Sequence, residues 1–162
     1  DKPNNAGITY FGKQVVREAE RLGIIMDVSH GSDHTAMSII DMSTKPVIAS
    51  PSGCRTLLDH PRNLNDSLIK AIAGTGGVIH IPFARRFIGP TLQGVVDHID
   101  HVVQFVGIEH IGIGSDLDGA AMADGLEDVS CWLKMAAELS HCGYTDTDIG
   151  LITGGNTLRI LS

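Results

Sequence analysis

The chain has 162 residues, a formal net charge of −7 and 43% hydrophobic residues, which suits one globular domain with its own core. The acidic balance argues against a nucleic-acid partner, which would want a basic face. No signal peptide and no apolar run of membrane-spanning length stands in the sequence. Three cysteines, Cys54, Cys131 and Cys142, are too few and too scattered for a disulfide framework, so reduced thiols in a cytoplasmic setting are expected.

In chain order, residues 1–7 read as polar and turn-like. Thr9 precedes an amphipathic helix over residues 11–22, with Phe11, Val15, Ala19 and Leu22 as its apolar face. Gly23 is a natural stop. Residues 24–30 form a β-branched apolar run that reads as a buried strand of a parallel sheet. Ser32 or Asp33 caps a second helix reaching about Met42, and residues 46–50 make a second short strand. Residues 51–63 are a long polar connection, a length uncommon after a strand unless the loop has a task. A third helix is expected over residues 65–73, then a strand at 78–81 that Pro82 limits. Arg85 and Arg86 are expected in a loop. A fourth helix covers residues 92–106, a fifth 129–141, and two short helices close the chain.

The fourth strand lies in His110-Ile-Gly-Ile-Gly-Ser-Asp-Leu-Asp-Gly119. It ends in a glycine-flanked turn carrying Asp116 and Asp118. In α/β proteins ligands and catalytic groups collect at the C-terminal ends of strands, although Asp and Gly are also ordinary turn residues. Strands alternating with helices imply parallel pairing through right-handed crossovers. Among the other histidines, His34, His60, His98, His101 and His141 read as surface or helix-face residues, and His80 as a core or barrel-lining one.

Six phrases carry a resemblance: Thr9-Tyr-Phe-Gly-Lys-Gln-Val-Val-Arg17, Asp27-Val-Ser-His30, His60-Pro-Arg-Asn63, Gly112-Ile-Gly-Ser-Asp-Leu-Asp-Gly119, Gly125-Leu-Glu-Asp-Val129 and Gly155-Asn-Thr-Leu-Arg159. In this order and spacing they resemble the renal (membrane) dipeptidase family of zinc metallopeptidases, a TIM-barrel family among the amidohydrolase-like enzymes. The fold expected is therefore α/β: a partial TIM (β/α)₈ barrel of about four parallel βα units, the C-terminal half. A complete barrel takes about 250 residues, so residues 1–162 are expected to be a single incomplete domain. Half a barrel leaves two sheet edges unpaired. Either an N-terminal half completes it, or two copies pair as a homodimer.

The resemblance also implies chemistry. The family cuts dipeptides with two zinc ions and a metal-activated water. His30 falls where the family has a zinc-ligating histidine, Arg62 where an arginine holds the substrate's free carboxylate, and Asp116 where an aspartate, also touching substrate, shuttles a proton from water to the leaving amine. A second family histidine ligand is replaced here by Pro51, within Ser50-Pro51-Ser52. Cys54 stands three residues further on. Since catalytic zinc needs about three protein ligands, weak zinc binding and no turnover by this chain alone are expected. Two other readings compete with the dipeptidase: a non-catalytic remnant acting as a partner-binding scaffold, and a free-standing α/β ligand-binding domain without metal.

Overall fold

Side-chain caps start most of the longer helices. In a computed structural model, which describes residues 7–162, Thr9 caps α1 (Tyr10–Arg21), Ser32 caps α2 (Asp33–Ile40), Asn65 caps α3 (Asp66–Gly74) and Thr91 caps α5 (Leu92–Val106). Each side-chain oxygen accepts from a backbone N–H that the first helical turn leaves free. The turn expected at the N-terminus lies outside the described residues, except for Gly7. Between the helices run β1 (Met26–Asp27), β2 (Val47–Ala49), β3 (Val78–Ile81) and β4 (Ile111–Ile113). They form one sheet in the order β1-β2-β3-β4, parallel throughout. The expected βα rhythm is therefore present.

One face of the sheet makes the core. Val47, Ala49, Ile79, Ile81 and Ile111 pack with Leu68, Ile69 and Ile72 of α3 and with Val95, Val96, Ile99 and Val102 of α5. The remaining elements are α4 (Arg85–Ile88), α6 (Trp132–His141), α7 (Asp146–Gly150) and α8 (Asn156–Leu161). Strand side chains alternate between faces, so His80 points to the opposite side. There it is buried, with Nδ1 3.1 Å from the Ala49 carbonyl and Nε2 2.9 Å from Thr157 Oγ1 on α8. A core or barrel-lining position is what the sequence implied for His80, and its burial on this opposite face agrees.

Four expectations need correction. The apolar face assigned to the first helix is not in the core: Phe11 is 71% exposed and Leu22 58%, while Val16 is buried. Amphipathicity marks a face for burial without supplying the partner that buries it. The first strand is far shorter than residues 24–30, because the chain turns at Ser29 and the Asp27 carboxylate takes up Ser29 and Ser50 N–H groups instead. Arg85 and Arg86 sit in the short helix α4, not in a loop. That turn is pinned by distant chain: Phe83 N–H donates to the Ser115 carbonyl and Arg85 N–H to that of Ala121. Finally, His98 is on a helix face but only 2% exposed.

Candidate active site

The C-terminal tips of β1 and β2 are stitched together by polar side chains. Asp27 Oδ2 accepts from Ser50 Oγ (2.7 Å), and Ser29 Oγ accepts from Ser50 N–H (2.6 Å) and approaches the Pro51 carbonyl (3.3 Å). Just past this stitch the chain turns at His30, whose φ of 70° lies in the left-handed region. A non-glycine residue there costs roughly 1–2 kcal/mol and persists where the surroundings force it, often at functional sites. Asp116, after β4, has the same feature with φ 64°. Its carboxylate folds over Gly119, where any Cβ would collide with it.

Arg62 reaches this place from the end of the long loop. Its Nη2 lies 3.0 Å from His30 Nε2. A guanidinium only donates, so Nε2 accepts and the imidazole proton sits on Nδ1. Burial holds the Arg62 guanidinium below its ordinary pKa; Asp116 and Asp27 oppose that shift and Arg86 adds to it. The structure thus brings His30, Arg62 and Asp116 into one electrostatic neighbourhood. Beside them a recess of ≈ 420 Å³ is lined by His30, Asp33, Arg55, Asp59 and Arg62, a size that suits a small organic ligand.

The loop carrying Arg62 is rigidly tied. Asn63 is buried; its amide donates to the carbonyls of Leu58 (3.0 Å) and Phe87 (2.8 Å), and its Oδ1 accepts from Gly53 N–H (3.2 Å). Arg55 grips Asp33 through two bonds of 2.7 and 2.8 Å, which holds the Asp33 carboxyl below the usual range. His60, given no task by the sequence, accepts from Arg62 N–H (3.1 Å) and sets its edge on the Phe87 ring at 4.9 Å. Asn63 ends the stretch His60-Pro-Arg-Asn63, yet its bonding partners lie up to 24 residues away and no local signal names them.

These residues do not make a metal site by themselves. Among the described residues, no three His, Cys, Asp or Glu side chains come together as a cation cage. The Nε2 lone pair of His30 is taken by Arg62. Cys54 offers no substitute: it is fully buried, its thiol faces the His98 carbonyl at 3.6 Å, and burial pushes its pKa up to about 12.

The chain also resembles known proteins. The family model described as membrane dipeptidase (peptidase family M19) matches residues 1–162. Dipeptidase verJ of Clonostachys rogersoniana is 39% identical across 98% of this chain and 42% of its own length. An uncharacterized dipeptidase of Schizosaccharomyces pombe is 37% identical over 98% of the chain and 41% of its own length. The chain therefore spans well under half the length of these relatives. Among solved structures, a metallo peptidase from Rhodobacter sphaeroides liganded with a phosphinate mimic of the dipeptide L-Ala-D-Ala superposes with a TM-score of 0.92 at 28% identity, covering 96% of this chain and 46% of that one. The probable dipeptidase PvdM from Pseudomonas aeruginosa gives 0.89 at 29%, with 96% and 54% covered.

Proposed function

This chain belongs to the membrane dipeptidase family (peptidase family M19), and on that premise we propose that it supplies the substrate-gripping and proton-handling half of a zinc-dependent dipeptidase site. The observation that carries the reading is the approach of Arg62 to His30, 3.0 Å apart, with Asp116 acting on the same guanidinium.

In this reading Arg62 holds the free carboxylate of a dipeptide, a task suited to a planar fork of donors. Asp116 accepts a proton from the attacking water and returns it to the leaving amine. His30 would be the one residue of this chain to hold the metal, and its Nε2 would first have to be released by Arg62. Substrate carboxylate arriving at Arg62 provides the exchange, since it is a better acceptor for a guanidinium than a neutral imidazole is. Any further metal ligands come from outside these residues, so the isolated chain binds zinc weakly and does not turn over. The L-Ala-D-Ala mimic on the Rhodobacter relative makes L,D-dipeptides the first substrates to try.

The test is a chimera joining this chain to the part of the Clonostachys dipeptidase that it does not match. Zinc-supplemented hydrolysis of Gly-Gly and L-Ala-D-Ala is expected, reduced at least ~100-fold by Asp116→Asn, as loss of a general acid–base group implies. A folded, zinc-loaded chimera unaffected by Asp116→Asn and Arg62→Gln would sink the reading. Pro51 at the tip of β2, in place of a family histidine, favours a second reading: a non-catalytic remnant. That reading predicts a dead chimera revived by Pro51→His.

A further inference from the structure

Beside Arg62 stands a second cation for which the dipeptidase reading has no use. Phe87 is buried, 3% exposed, and its ring forms a platform for two guanidiniums. Arg62 Cζ lies 5.6 Å from the ring centroid and Arg86 Cζ 4.5 Å. The arrangement is built rather than incidental. Asn63 follows Arg62, Phe87 follows Arg86, and Asn63 donates to the Phe87 carbonyl at 2.8 Å. One buried hydrogen bond therefore sets the relative position of both cations.

Neither cation stands in a direct ion pair. Arg55 is matched by Asp33, Arg21 by Glu18 and Arg85 by Asp124. Among the described residues, neither Arg62 nor Arg86 has a carboxylate within ion-pair distance. Two like charges held close to one ring disfavour each other unless an anion joins them. Stacking on an aromatic face leaves the in-plane N–H donors of a guanidinium free along its edge. Two such forks on one ring, without a directly paired carboxylate, match a ligand bearing two carboxylates a few bonds apart.

We propose that Arg86 is a specificity-determining residue that, together with Arg62 on the Phe87 ring, selects dipeptides whose C-terminal residue is Glu or Asp. The inference rests on the reading that Arg62 takes the terminal carboxylate; Arg86 then takes the side-chain carboxylate of the same residue. No covalent step is involved. Arg86 is exposed, so the added contact is solvent-screened and gives about a threefold preference rather than an absolute one.

The probes are Gly-Glu and its neutral isostere Gly-Gln, each with the C-terminal residue in L and D form, titrated into the 162-residue chain by calorimetry and amide NMR. Gly-Glu is expected to bind about threefold more tightly than Gly-Gln at low salt, with the preference shrinking as salt rises. In Arg86→Gln the ratio falls to about one; in Arg86→Lys part of it survives, because charge remains without the fork. Arg62→Gln weakens both ligands. Equal affinities for the two ligands in the wild-type chain, both lost in Arg62→Gln, would overturn the role of Arg86 and leave the carboxylate role of Arg62 standing. No binding of either ligand, or binding indifferent to Arg62→Gln, would overturn both.

Discussion

His98 makes acid sensitivity a calculable property of this fold. Its Nδ1 accepts from Cys54 N–H at 2.8 Å in a buried setting, so the neutral ring must carry its proton on Nε2. Protonating Nδ1 would remove the acceptor and put a charge in the core. Burial drives the pKa from 6.5 to about 4, with His101 adding to the drop and Asp97 opposing it. The sign follows from linkage: between the two values the unfolded chain binds a proton that the native chain refuses. Stability is thus fully present above about pH 6.5 and falls as pH drops toward 4. At about 1.4 kcal/mol per pKa unit, the loss comes to about 3 kcal/mol. His98→Asn retains an acceptor near the Nδ1 position but cannot titrate. Urea denaturation of both chains at pH 7.5, 6, 5 and 4 reads the difference. The variant, with a smaller side chain in the core, starts less stable, and the gap should close by about 3 kcal/mol at the acid end. A gap constant across the series, or an NMR titration of His98 near 6.5, would refute the argument.

Asn63→Leu should destabilise the chain by about 3–5 kcal/mol, because three buried bonds lose their partner at once; urea midpoints measure it, and a loss under about 1 kcal/mol would mean the Gly53, Leu58 and Phe87 groups find other partners. Thiol labelling under native conditions should modify Cys142 alone, since Cys54 and Cys131 are buried; all three should react once the chain is unfolded. Pro51→His should tighten zinc binding at least ~10-fold, as a second imidazole beside His30 adds a ligand, and His30→Ala should abolish the gain, read by chelator competition.

Much of the architecture is written in short stretches. Thr9, Ser32, Asn65 and Thr91 cap their helices through bonds spanning three residues, and apolar periods of 3.6 and 2 extend over a single element. Such signals survive without tertiary context, which is why the helices and the parallel βα rhythm are legible. Arg62 and Asp116 are candidates for a different reason: their phrases resemble a family. The local signals stop at the edge of each element. They assigned Phe11, Val15 and Leu22 to a core that does not cover them, and placed Arg85 and Arg86 in a loop.

What the sequence alone determined is the alternation of the longer helices with four strands, and that His30, Arg62 and Asp116 are candidates. Only the tertiary structure decided that Arg62 occupies the His30 lone pair, that Arg86 shares its aromatic platform, and that His98 is desolvated against Cys54. Those outcomes join groups 24 to 44 residues apart. Proximity and burial at such separations come from packing, and no pattern within one element can specify them.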